Sequence, residues 1–197
     1  MVPVRTMCMW LVLAPSLASA ETPWNMVSTD GVLSVWARPM DRTNLRELEV
    51  RAHSPIVPER IYEAIWDASW QGSLPGVNTL RVLSKNDAQM VIYERLALPV
   101  VHDRDHVLAL TRAHEGERFR VEAADASTLG PPSPPGVVRM TDVRSRFALS
   151  RAGDGGTDLV YTSFGDPAGS APAWITRAAD ERGARDFVRA IFAHAAP

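Results

Sequence analysis

The sequence is nearly without cysteine. Its single residue of this type, Cys8, lies in the first 20 positions. The remainder therefore has neither a disulfide framework nor a thiol nucleophile. Charge of one sign is also missing: 21 Lys and Arg stand against 23 Asp and Glu, a formal net charge of -2. That balance offers no electrostatic footprint for nucleic acid and no acidic tail. The chain contains no G-x-S-x-G elbow and no H-E-x-x-H zinc pair, which removes the commonest sequence marks of a hydrolase. No internal repeat is visible. The apolar run Met7 to Ala14 is the strongest near the start, and it is shorter than the roughly 20 residues that a membrane-spanning helix needs.

What the chain does have is ordinary globular material. Hydrophobic residues make up 46% and charged residues 22% of 197 positions, enough for one domain with a substantial core. The opening "MVPVRTMCMWLVLAPSLASA" reads differently. One Arg, a short apolar run and the small-residue ending Ala18-Ser19-Ala20 have the three parts of a secretory signal peptide. Residues 1–20 are expected to be removed after Ala20, leaving a domain over 21–197 that is exported to the periplasm or the exterior.

Along that domain, Val32–Arg38 and Leu45–His53 alternate apolar with polar residues and form a hairpin across "PMDRTN". Pro58 opens a helical stripe that runs to Trp70 and carries Ile61, Ala64 and Ile65. Six strand-like runs follow: Thr79–Leu83, Gln89–Leu96, His106–Ala113, Arg118–Ala123, Val137–Leu149 and Thr157–Phe164. They are punctuated by turn residues such as Glu115-Gly116-Glu117 and Asp154-Gly155-Gly156. "GPPSPPG", Gly130 to Gly136, is a stiff extended connection. Ala173–Ala193 has helical periodicity, with Trp174, Ala184, Val188 and Ile191 on its apolar stripe. Sheet residues followed by one long covering helix predict an α+β fold, a curved antiparallel sheet gripping the C-terminal helix.

Several short stretches go further. "DPAGSAPAWIT" from Asp166, "RDHV" from Arg104 to Val107, "DGVLSV" from Asp30 and "TDLVYTSFGDP" from Thr157 resemble motifs of the START (StAR-related lipid-transfer) domains, in the Bet v 1-like helix-grip superfamily. The resemblance covers about Trp24 to Ala193. His106 stands where the family's motif has an aromatic residue. Leu110 stands where sterol-carrying members place a basic one, and Arg177 where the family often has Asn. The resemblance implies a helix-grip fold enclosing an apolar cavity, and a protein that binds and transports a lipid or other hydrophobic small molecule without a cofactor. Expected cavity residues are Tyr93, Arg104, Leu108, Leu110, Phe147, Tyr161, Trp174 and Ala178. Expected partners are that ligand and a transient membrane contact, with no nucleic acid and the protein a monomer.

Two rival readings use the same fold. One is a cyclase- or hydrolase-like enzyme, with Tyr93 and Glu94, or Arg104 and His106, as acid and base. The other is an interaction module with a filled core. A metal in "HDRDH" is disfavoured, because on a strand His102 and His106 stand about 13 Å apart. Arg104 and Asp105 point to opposite sides of that strand, which favours separate ties to neighbouring segments. Arg182, Arg185 and Arg189 form a stripe on the last helix and read as a solvated face, with Glu181 able to pair with Arg185.

Overall fold

The computed structural model describes residues 22–41, 43–98, 101–169 and 173–197, without the side chains of 173–180. The elements run β1 (Asn25–Thr29), β2 (Leu33–Pro39), β3 (Arg46–Ser54), α1 (Pro58–Trp66), a 3-10 turn (Ala68–Ser73), β4 (Val77–Lys85) and β5 (Gln89–Leu96). They continue with β6 (Arg104–Glu115), β7 (Arg118–Asp125), β8 (Val138–Arg139), β9 (Thr141–Arg151), β10 (Thr157–Asp166) and α2 (Ala173–Ala195). The strands make one sheet in the order β1-β2-β3-β10-β9-β7-β6-β5-β4. Every pair on that path is antiparallel, and the two-residue β8 pairs parallel with the start of β6.

Register turns alternation into a continuous inner face. One row crosses five strands as Val35, Val50, Tyr161, Phe147 and Val121, and the next as Leu33, Ala52, Leu159, Leu149 and Phe119. All ten are buried. A third row, Ala37, Leu48, Ser163, Ser145 and Ala123, continues into Leu110 and Met90. Burying each large apolar side chain contributes about 1.5–3 kcal/mol, so these rows dominate the core. The opposite parity is mostly polar, as in Glu49, Thr162, Arg146 and Glu122, with Trp36 at its end.

The helices close the inner side. Ile61, Ala64 and Ile65 of α1 recur at helical spacing and are buried. The sequence predicts one helix to Trp70, but the α-helix stops at Trp66. Asp67 leaves the helical region (φ -83, ψ 85), and its carboxylate accepts from the Ser69 amide to start the 3-10 turn. In α2 the buried residues Ala184, Val188, Ile191 and Ala195 follow the same three-four spacing.

Two further elements differ from expectation. β1 has no alternation to betray it, since four of its five residues are exposed. The predicted strand Val137–Leu149 divides into β8 and β9 at Met140, whose N–H donates to Asp105 O at 2.9 Å, and Asp142 within β9 is left-handed (φ 49). In the arginine stripe Arg182 is exposed as expected, but Arg185 donates to Ser28 and Arg189 to Asp30, both on or beside β1, and Glu181 pairs with Arg46 of β3 at 2.7 Å instead of with Arg185.

Candidate functional site

β6 is the strand that organises the chemistry, because it is buried on both faces from Arg104 to Leu108. Its outer parity, Asp105 and Val107, is covered by the proline-rich connection. Gly130 lies so close over Val107 that a Cβ at that position would collide with the valine methyl groups. Asp105 is fully buried. Arg139 holds it through Nε at 2.7 Å and Nη2 at 3.2 Å, and the Ser133 hydroxyl donates to it at 2.8 Å. Burial pushes the Asp105 carboxyl up, but the Arg139 and Ser133 hydrogen bonds outweigh it and hold the group below the usual carboxylate range. Tyr93 belongs to this outer network. Its hydroxyl is raised by burial and by the Asp105 charge, and Arg81 stacks on its ring at 4.9 Å.

The inner parity of β6 carries Arg104, His106, Leu108 and Leu110. Arg104 is 2% exposed, and its guanidinium donates to the carbonyls of Pro167 at 2.8 Å and Ala168 at 3.2 Å, and to His102 O. It therefore clamps the Asp-Pro-x-Gly loop that leads into α2. That loop turns through left-handed Ala168 (φ 51) and Gly169 (φ 61), and the Asp166 carboxylate accepts from the Ala168 amide at 2.8 Å.

One step inward from the clamp, His106 faces Glu94 across the β5–β6 ladder. His106 Nε2 lies 2.9 Å from Glu94 Oε2, with the side chains 8% and 15% exposed. The carboxylate stands out of line with the ring, so neither imidazole nitrogen makes an aligned hydrogen bond among the described residues. Further along the same face, Tyr161 stacks on Phe147 at 4.5 Å, and both meet Phe187 of α2 edge-on at 5.6 and 6.0 Å. Burial pushes the Tyr161 hydroxyl up to about 12, opposed by a hydrogen bond with Ser163 and assisted by the Glu94 charge. Phe187 in turn stacks on Trp70 at 6.1 Å, and Trp70 on His194 at 5.2 Å.

The sequence-predicted site residues thus separate. Leu108, Leu110, Phe147 and Tyr161 share the inner face. Arg104 shares it too, but its donors are committed to backbone carbonyls. Tyr93 is a correction: it lies on the outer face, because Glu94 takes the inward parity of β5. The side chains of Trp174, Arg177 and Ala178 lie outside the described residues. The Glu94–His106 contact was not legible as a pair, since the two residues belong to different strands and only register joins them. His106 was nevertheless marked by its departure from the motif's aromatic residue.

Two grooves appear among the described residues, of about 350 Å³ beside His53 and Asp158 and about 380 Å³ between α1 and the end of α2. Neither is lined by Tyr161, Glu94 or His106. No described group of three or more His, Cys, Asp or Glu could hold a metal ion. No described helix is long and apolar enough to cross a membrane.

An antiparallel sheet wrapped on a long C-terminal helix is the helix-grip architecture. The START domain profile matches residues 17–196, and the chain belongs to that family. Among solved structures, it is similar to a STAR-related lipid transfer protein from Xanthomonas axonopodis, at 21% identity and a TM-score of 0.78, covering 87% of this chain and 98% of that one. It is also similar to human StAR-related lipid transfer protein 5, at 16% identity and a TM-score of 0.74, covering 90% and 88%. A more distant likeness is to the Zhui aromatase/cyclase from a Streptomyces, at 11% identity and a TM-score of 0.54, covering 77% and 93%. Among curated protein sequences no match is found.

Proposed function

We propose that this protein binds a lipid or other hydrophobic small molecule in a cavity between the inner face of the sheet and α2, as a carrier or sensor and not as an enzyme. Membership of the START family over residues 17–196 carries the reading. Its similarity to lipid transfer proteins supports it. So does the inner face, where apolar rows give way to a few polar groups toward the start of α2, the usual composition of a site for an apolar ligand. Affinity would come from apolar area removed from water, at about 25 cal/mol per Å². The protein acts as an exported monomer, cleaved after Ala20, that touches a membrane only transiently while the ligand passes.

A cyclase-like enzyme is the second reading. The aromatase/cyclase likeness and the buried Glu94–His106 contact favour it.

Native mass spectrometry of the protein expressed with its full leader tests the first reading. The expected result is a monomer with the mass of residues 21–197 and a stoichiometric adduct that solvent extraction releases as a lipid. An adduct-free protein that takes up no lipid from vesicles would overturn it in favour of a filled-core module.

A further inference from the structure

The exposed apolar side chains of this protein are not evenly scattered. Three of the seven large ones among the described residues, Met26, Val27 and Val32, stand in β1 and the turn to β2. Single exposed apolar residues are ordinary, whereas a cluster of them marks an interaction surface. β1 is an edge of the sheet, so its far side has no neighbouring strand. Met26 lies opposite Trp36 in the ladder, and Val27 sits where the register shifts. Trp36 and Trp24 are half-buried, and each carries a guanidinium on its ring. Arg51 lies 4.5 Å over Trp36, and Arg38 4.6 Å over Trp24.

The charges around this hairpin are layered. Arg51 is 48% exposed against 11% for its partner Glu49, and Arg38 25% against 12% for Glu47. On the other flank Arg189 of α2 is likewise more exposed than its partner Asp30. In each pair the carboxylate lies beneath and the guanidinium faces outward.

We propose that the β1–β2 hairpin docks the protein on an anionic phospholipid bilayer, with Met26, Val27 and Val32 entering the interface and Arg38 and Arg51 meeting lipid phosphates. The inference rests on the membrane contact of the reading above and names its surface. A tryptophan with a cation on its face is apolar in body and polar at its rim, which suits the depth of the head groups. Aliphatic side chains beside it gain by leaving water, and each outward arginine gains from the negative surface potential. The whole chain, with a formal net charge of -2, has no general attraction to such a surface. A preference for anionic lipid must therefore be local. The rival occupant is a second copy paired along β1, but a five-residue strand with a register shift is a blunted edge. Because Arg185 and Arg189 tie α2 to Ser28 and Asp30, docking here also sets the long helix beside the bilayer.

Vesicle sedimentation with the purified protein tests this. Vesicles of phosphatidylglycerol and phosphatidylcholine in equal parts should bind it about tenfold better than phosphatidylcholine alone. Salt at about 1 M, where the Debye length is about 3 Å, should abolish that preference. The double variant Met26→Ser, Val32→Ser alters only exposed groups. Its Tm and its uptake of a fluorescent lipid should match wild type, while vesicle binding falls at least about tenfold. Val32→Asp, at the turn alone, should weaken vesicle binding likewise and serves if the double variant is unstable. Equal binding to both vesicle types overturns the docking surface, as does wild-type binding by the variants. A wild-type dimer that the double variant dissolves also overturns it, and assigns the hairpin to self-association. A protein that takes up lipid but ignores vesicles overturns docking alone. One that binds vesicles as expected but takes up no lipid overturns the hydrophobic-ligand reading instead, so the two failures are distinguishable.

Discussion

At the scale of single residues, neighbours in sequence have unrelated roles because a strand sends them to opposite faces. Arg104 fixes the entry of α2, Asp105 fixes the proline-rich connection, and His106 faces the interior. Asp105 is the clearest case of a buried charge made tolerable by its partners. Removing one member of such a pair costs about 3–5 kcal/mol, because the other is left uncompensated. Asp105→Asn is expected to lose about 3 kcal/mol in urea unfolding at neutral pH, at the low end because Arg139 retains some solvent contact. The folded-state pKa of Asp105 lies below its ordinary 3.8. Its contribution is therefore whole above that value and is lost as pH falls through the lower, folded-state one. The difference between wild type and Asp105→Asn should accordingly shrink on acidification below about pH 4. A difference that stays constant into strong acid would show that Asp105 does not act through its charge.

At the scale of elements, the proline-rich segment behaves as a second layer over β6. Prolines remove donors and fix φ, so the segment stays extended and cannot join the ladder itself. It is held by Arg139, which donates to Pro131 O at 2.8 Å while pairing with Asp105. Gly130 is extended there (φ -113, ψ 178), so it is needed for space and not for backbone freedom. Gly130→Ala is expected to cost about 1–3 kcal/mol, the usual penalty of overpacking. It should also raise amide exchange at Ala126, whose N–H donates to Val107 O at 2.9 Å. Unchanged stability would mean that the connection lifts from the strand without cost. The last helix is pinned in a comparable way on both flanks, by Arg185 and Arg189 to the β1 side and by His194 to Asp67 at 3.4 Å.

At the scale of the molecule, one aromatic side chain joins the layers. Phe187 of α2 touches Phe147 of β9, Tyr161 of β10 and Trp70 of the 3-10 turn. Phe187 is partly buried, so its truncation costs about 3 kcal/mol, the low end for a Phe, and for a domain of this size each kcal/mol lowers Tm by about 2–4 °C. Phe187→Ala is thus expected to lower Tm by about 10 °C as a single cooperative transition. Two separated transitions would show that the sheet and α2 are not one folding unit.

Much of this architecture was legible beforehand. Alternation located β2 and β3 to within a few residues, because a half-buried strand writes its period directly into the chain, and strand-like runs between turn residues located β5, β6, β7 and β10. Three-four spacing located α1 and α2 for the same reason. β1 was not legible, since its mostly exposed residues carry no period. The break between β8 and β9 at Met140 was hidden because β8, two residues long, is too short to show a period of its own. The Asp-Pro-x-Gly and Arg-Asp stretches, together with the order of elements, determined the fold family. Tertiary structure decided the face each residue takes on β6. Alternation defines two faces without saying what covers them, and here the core covers one and a distant proline-rich loop the other. It also decided that Arg104 meets Pro167, 63 residues away, and that Glu94 meets His106. Contacts of that kind depend on register and packing between segments, which no local pattern in the sequence can encode.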